Sequence, residues 1–420
     1  MANPAPAGFF FMQQQDLIPH LFRTEYRKIA AVLCKWLGIE NLEVAEDLTS
    51  ETFLAALETW SYRGIPPNPN AWLYTVAKNK AKNFIARNHL FKQKIEKELK
   101  ESGVSTLEED IDLSDQNIFD SQLQMLFAIC HPTIPPEAQV GLALRILCGF
   151  GIDEIANAFL SNKETISKRL QRAREKLRQE NVKIEFPVGH EIESRLSNVL
   201  TTIYLLFNEG YYSESNDEVL REELCYEAMR LTNLLLEYDR TNLPAVNALL
   251  SLMCFHASRF AARQSDKGEL VLYEEQDESK WDQGLIARGI YFLKQAASGE
   301  VISKYHLEAG IAYWHTQKKD SMEKWEAILH LYNQLLSLEY SPVAALSRTY
   351  ALSKVKGREV AIMEAEKLKL NNNPFYFSLL GELYTGVDNS KARQHFETAM
   401  TLASAKDGVN IRKKLEKFKD

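Results

Sequence analysis

Seven basic side chains crowd into sixteen residues of this chain: Lys163, Lys168, Arg169, Arg172, Arg174, Lys176 and Arg178, opposed only by Glu164 and Glu175. The chemistry they suit is recognition, not catalysis. A guanidinium presents a planar fork of donors that matches a guanine edge or a phosphate, and an ammonium supplies a point charge for phosphate. Thr165 and Ser167 add hydroxyls to the same stretch. The local net charge is +5 in a chain whose formal net charge is -7. Overall acidity argues against a nonspecific nucleic-acid coat protein, so the cations matter where they are concentrated.

Two short helices must position them. Ile152, Ile155, Ala156 and Phe159 mark one apolar helical face, and Ile166, Leu170, Ala173 and Leu177 mark a second, with Ser161-Asn162-Lys163 as the turn between. Either Ser161, with Glu164 three residues on as a capping box, or Asn162 can accept the free amides that open the second helix, which should start near Lys163. This is a helix-turn-helix, and its second helix suits a major groove.

Upstream, Leu17, Leu21, Tyr26, Ile29, Ala30, Leu33 and Leu37 recur at helical spacing up to Gly38. A second helix, AEDLTSETFLAALETW, carries Leu48, Phe53, Ala56, Leu57 and Trp60 on its core side and Glu46, Asp47, Glu51 and Glu58 outside. The stretch SYRGIPPNPN (61–70) then breaks helix repeatedly, since proline removes donors and restricts its predecessor. In the helix that follows, Asn79, Asn83 and Arg87 stack on one face beside Lys78, Lys80 and Lys82. Amides interleaved with cations suit base edges and phosphates together. Trp72 and Tyr74 either complete the core or offer stacking surface to unpaired bases.

The composition, 45% hydrophobic and 25% charged, is that of a soluble globular chain with room for two to four domains. The five cysteines have no CxxC spacing, which implies neither a disulfide framework nor a metal site and points to a reducing, cytoplasmic location. The AGFFFM run near the start is too short for a membrane span, so no membrane association is expected. Nor is there a nucleophile–base pair, and neither enzyme activity nor a cofactor is expected.

AEDLTSETFLAALETW followed by NPNAWLYTVAKNKAKNFIARN resembles the second conserved region of bacterial sigma factors of the extracytoplasmic-function (ECF) type, and GIDEIANAFLSNKETISKRLQRAREKLR resembles their fourth. The resemblance implies an all-α protein that binds core RNA polymerase, at the clamp of the largest subunit and at the flap, and reads two promoter DNA elements. Carried onto this sequence, it makes Asp47, Leu48, Glu51 and Phe53 polymerase contacts. Tyr62, Arg63, Asn68, Asn70 and Trp72, with Lys78, Asn79, Lys80, Asn83 and Arg87, become the minus-ten set; the segment from Tyr62 to Asn70 would capture a flipped base, which needs a preshaped pocket. Lys163, Glu164, Thr165, Ser167, Lys168, Arg169, Arg172 and Arg174 become the minus-thirty-five set. One departure lies at Leu160, where many family members have glycine. Leucine resists positive φ, so either the turn geometry differs from theirs or the first helix runs one residue longer.

The expected organisation is region 2 over 10–97, an acidic linker over 98–117, region 4 over 118–182 and a further helical domain over 186–420. The linker is either a soluble tether or, as the family implies, an acidic mimic of the transcript in the polymerase's RNA channel. In the tail, Leu346/Leu380, Tyr350/Tyr384, Ile362/Phe396, Ala365/Ala399 and Leu368/Leu402 are offset by 34 residues, the tetratricopeptide period, which predicts stacked helix pairs in a solenoid. YLLFNEGYY (204–212) and LYEEQDESKWD (272–282) resemble the signature of a sigma-factor subgroup bearing such a domain in place of a separate anti-sigma regulator, and a protein or small ligand would bind there. Two other readings stand beside the sigma factor: a helix-turn-helix regulator with a ligand- or protein-sensing solenoid independent of polymerase, and a solenoid scaffold with a vestigial N-terminal part.

Overall fold

The computed structural model describes residues 14–96, 111–211, 218–263, 271–403 and 407–416, and every regular element among them is helical, as the sequence predicts. The chain divides into two compact units, Met1–Asn242 and Leu243–Asp420. Most of the linker expected over 98–117 lies outside the described residues.

In the first unit, α1 (Gln14–Leu37), α2 (Leu42–Arg63) and α3 (Pro69–Glu96) form one helical group. Their core is Leu21, Tyr26, Ile29, Leu33, Leu42, Phe53, Leu73 and Ala77, all buried. Asn68 caps α3, accepting the amide of Ala71 at 3.0 Å. Two side-chain expectations on α2 need correction. Glu46 faces inward, 4% exposed, because it sits at helical spacing between Leu42 and Phe53 and finds cationic partners there. Leu57, expected in the core, is 47% exposed, and Leu54 beside it is exposed too.

Next come α4 (Asp115–Ile129), α5 (Pro136–Leu142), α6 (Ile152–Ala158) and α7 (Lys163–Gln179). Ser114 caps α4 through the amide of Asn117, and Pro136 opens α5, where its missing donor is not needed. Beyond α5, residues Ala143–Leu147 wind as a π-helix, closed by Cys148 N–H donating to Ala143 O at 3.1 Å. Gly141 lies under α7, where any Cβ would come within 2.9 Å of Leu170 Cδ2.

The first unit also takes in α8 (Ile192–Tyr211) and α9 (Glu218–Leu236), which sequence reasoning grouped with the C-terminal domain. Their apolar faces pack on each other, and polar ties reach back. Arg195 donates to Phe127 O at 2.7 Å and Thr202 to Gln139 Oε1 at 2.6 Å, while Phe186 bridges the rings of Phe127 and Tyr238.

The second unit holds α10 (Pro244–Ala257), α11 (Phe260–Arg263), α12 (Gln283–Ala296), α13 (Lys304–His315), α14 (Met322–Leu338), α15 (Pro342–Lys356), α16 (Arg358–Leu368), α17 (Pro374–Tyr384), α18 (Asn389–Leu402) and α19 (Asp407–Glu416). The pair α15–α16 is followed by the pair α17–α18. Of the positions offset by 34 residues, Leu346/Leu380, Ile362/Phe396 and Ala365/Ala399 are buried in both members, whereas Leu402 is exposed.

Candidate functional site

α7 fixes the cations first singled out. Asn162 is the N-cap, its side chain accepting Thr165 N–H at 2.8 Å, so Lys163 is the first helical residue and the alternative cap at Ser161 is not used. Leu160 precedes this turn with φ 46, entering the left-handed region despite its side chain, which stays in solvent. Ile166, Leu170, Ala173 and Leu177 are buried as expected. Lys163, Glu164, Thr165, Lys168 and Arg172 are exposed, with Lys163 on Asp153 at 3.0 Å and Lys168 on Glu164 at 2.6 Å. Ser167 and Arg169 are half-buried, and the Arg169 guanidinium lies over the Phe159 ring at 5.7 Å.

Arg174 differs from the rest. It is 8% exposed and turned into the protein, with Nη2 on Glu46 Oε1 at 2.6 Å and Nη1 3.8 Å from Glu43. The other Glu46 oxygen accepts Arg145 Nε at 2.8 Å. Arg145 rises from the π-helical turn, donates also to Phe150 O at 3.2 Å and covers the Tyr26 ring. One carboxylate of α2 thus holds two guanidiniums of the helix-turn-helix region.

Among the expected polymerase contacts, Asp47 and Glu51 are exposed, whereas Leu48 and Phe53 belong to the core. Glu43, Asp47, Glu51 and Glu58 instead share the outer face of α2 with exposed Leu54 and Leu57. Those two leucines, missing from the sequence-derived site, are the apolar residues of that face. Partial desolvation at the helix surface and the neighbouring Glu46, Glu51 and Glu43 carboxylates raise the Asp47 carboxyl above its ordinary range.

On α3, Asn79, Lys82, Asn83 and Arg87 are exposed and Lys78 and Lys80 half-buried, so the polar face is open. Tyr62 and Arg63 belong to the last turn of α2 rather than to the loop, and Tyr62 is 92% exposed. Asn68 is exposed and Asn70 half-buried. Trp72 packs edge-on against Trp60 at 5.3 Å, and Tyr74 donates to buried Glu25 at 2.6 Å, which gives both aromatics structural work.

In the second unit, residues 271–282 form a strap with two 3-10 turns. Tyr273 Oη takes the ammonium of Lys324 at 3.0 Å, Tyr350 donates to Glu274 at 3.0 Å, and Lys318 donates to Gln276 O. Lys324 is 1% exposed, lies over the rings of Tyr273 and Trp325, and also donates to Gln317 O at 2.5 Å. In the other expected ligand segment, Phe207 and Tyr211 stack within α8 and Tyr212 lies outside the described residues. Among the described residues no group of side chains has metal-site geometry, and no helix is long and apolar enough to cross a membrane.

Residues 21–90 match the family model for sigma-70 region 2, residues 103–183 that for the ECF sigma factor, and residues 195–297 a family of unknown function (DUF6596). An uncharacterised protein of Rhizobium meliloti (strain 1021) is 32% identical over 386 residues, covering 90% of each chain. The ECF RNA polymerase sigma-E factor of Haemophilus influenzae is 25% identical over 152 residues, 35% of this chain and 78% of that one. No solved structure matches the chain significantly. With a region 2 bundle and a capped, basic helix-turn-helix in the same order as those two matches, residues 21–183 of this chain belong to the ECF sigma factor family.

Proposed function

We propose that the protein is an alternative sigma factor that binds core RNA polymerase in the bacterial cytoplasm, directs promoter-specific initiation, and carries its own helical control domain. It is not an enzyme in this reading; the chemistry stays with the polymerase. The observation that carries the proposal is the pairing of two open faces of opposite character within one unit. The outer face of α2, with Asp47, Glu51 and the exposed Leu54 and Leu57, offers acids around an apolar centre, as a protein–protein contact requires. The first half of α7, with Lys163, Thr165, Lys168 and Arg172, offers donors for a major groove, while Asn79, Lys82, Asn83 and Arg87 of α3 offer them for the minus-ten element.

Purified protein added to core polymerase should give run-off transcripts from a cognate promoter. Repeated failure with core, while duplex DNA is still bound, would leave the polymerase-independent regulator as the better reading. The C-terminal domain is proposed to govern activity through a protein or small ligand. Truncation after Asn242, which keeps the first unit whole, and truncation near Glu185, which removes α8 and α9 as well, should differ from the full chain and from each other in transcription.

A further inference from the structure

The ionic network around Glu46 brings together two elements that the sigma-factor reading assigns to different promoter elements. Lys80 of α3 holds Glu51 of α2 at 2.9 Å, and Arg174 of α7 holds Glu46, five residues earlier on α2, at 2.6 Å. At 1.5 Å of helix rise per residue, the charged ends of Lys80 and Arg174 lie within about 25 Å of each other. Elements at minus-ten and minus-thirty-five are separated by ~25 base pairs, or about 85 Å of duplex at 34–36 Å per turn. In this arrangement the protein cannot read both at once.

What keeps the arrangement closed is not region 2 and region 4 alone. Glu227 of α9 takes Arg27 of α1 at 2.6 Å and its own neighbour Arg230 at 2.7 Å, and Arg230 donates to Leu147 O, the last residue of the π-helical turn, at 2.6 Å. Arg195 and Thr202 of α8 fasten the same hairpin to α4 and α5. From the region 2 side, α7 also packs on the turn Ile39–Asn41. Resting on the sigma-factor reading, we propose that α8 and α9 are a built-in clamp that holds the two DNA-reading regions together around Glu46, and that engagement of core polymerase opens it. The hairpin is fused directly after the helix-turn-helix, so the clamp acts within one chain at high effective concentration.

The test measures distance in the full chain, with spin labels on cysteines placed at Ser61→Cys and Gln179→Cys, the five native cysteines being buried. Helix rise from Glu46 to residue 61 and from Arg174 to residue 179 puts the closed-state separation below about 45 Å. The free protein should show that short distance, and core polymerase should replace it with one tens of ångströms longer. Glu227→Ala, and independently Arg27→Ala, should create the long population without core, and each should raise run-off transcription at limiting core by about threefold or more. A free protein already dominated by the long distance, or both variants keeping the wild-type distribution while folded by circular dichroism, overturns the clamp. Absence of core binding in a chain that shows the short distance overturns the sigma-factor reading instead, and the distances in the two variants then decide whether the hairpin clamps.

Discussion

Lys80 of α3 and Glu51 of α2 stand 2.9 Å apart at the surface, a cation proposed to contact promoter DNA neutralising an acid proposed to contact polymerase. Exposed pairs of this kind contribute about 0–1 kcal/mol, so either member is free to change partner when the polymerase or the duplex arrives. Glu51→Gln should therefore lower stability in urea by less than about 1 kcal/mol while weakening core binding. Loss of core affinity only in step with loss of stability would refute the assignment.

Asp47 gives a sharper separation of stability from function. Its carboxyl is raised by partial desolvation and by three neighbouring glutamates, so the charged form is held at a disadvantage in the folded protein. For an acid with a raised folded pKa the penalty is complete above that pKa and vanishes once pH falls below the unfolded value, about 3.9. Asp47→Asn should then be more stable than the parent at pH 7, equal to it near pH 3, and poorer at binding core. Urea titrations at the two pH values check the sign.

At the turn of the helix-turn-helix, Leu160 holds φ 46 with 62% of its surface exposed. A left-handed L-residue costs roughly 1–2 kcal/mol, partly offset in a glycine variant by the extra freedom of its unfolded chain. Leu160→Gly should stabilise the protein by up to about 1 kcal/mol and leave promoter binding intact. Destabilisation in thermal unfolding would contradict the backbone account.

The register of α7 was legible because Ile166, Leu170, Ala173 and Leu177 phase it and Asn162 can cap it. Arg174 was not, because its position among seven cations looks like solvent until a buried carboxylate 128 residues earlier is known to face it. A signal for that carboxylate did exist. Glu46 lies four residues after Leu42 and seven before Phe53, on the apolar face of α2, where an acid needs a partner. Leu57 presents the converse case: a leucine that the helical pattern assigns to the core stays exposed, beside exposed Leu54, on a face proposed as a docking surface. The boundary after Asn242 has no compositional mark, since α8 and α9 are as apolar on one face as the helices beyond, and tertiary ties such as Arg195 to Phe127 O decide their allegiance.

Arg172 and Arg174, two residues apart, should separate DNA binding from stability. Arg172→Ala removes an exposed cation and should weaken binding to a minus-thirty-five duplex, lowering the slope of log affinity against log salt by about 1 if its partner is a phosphate. Arg174→Ala takes one of two guanidiniums from buried Glu46 and should cost about 3 kcal/mol of stability. Fluorescence anisotropy across a salt series and urea unfolding distinguish them, and equal unfolding midpoints for the two variants would count against the buried pair.

In the second unit His315 is held neutral, its pKa lowered to about 3 by burial and then by the charges of Arg259 and Lys324. The stability this histidine contributes is present above its unfolded pKa, about 6.5, and is lost as pH falls from there toward 3. His315→Phe should flatten the acid limb of a stability–pH curve below pH 6. A parallel curve for the variant would mean that the acid sensitivity lies elsewhere.

The π-helical turn at Ala143–Leu147 gives the region its own kind of fragility. A π turn is an α-helix with one residue too many, and that surplus sets the direction in which Arg145 leaves the helix toward Glu46. Deleting one residue there would restore ordinary winding and swing the arginine by about 100°. The change that severs this connection most cleanly is therefore one of chain length: a single lost codon upstream of Arg145 would disengage it while leaving every charged side chain present.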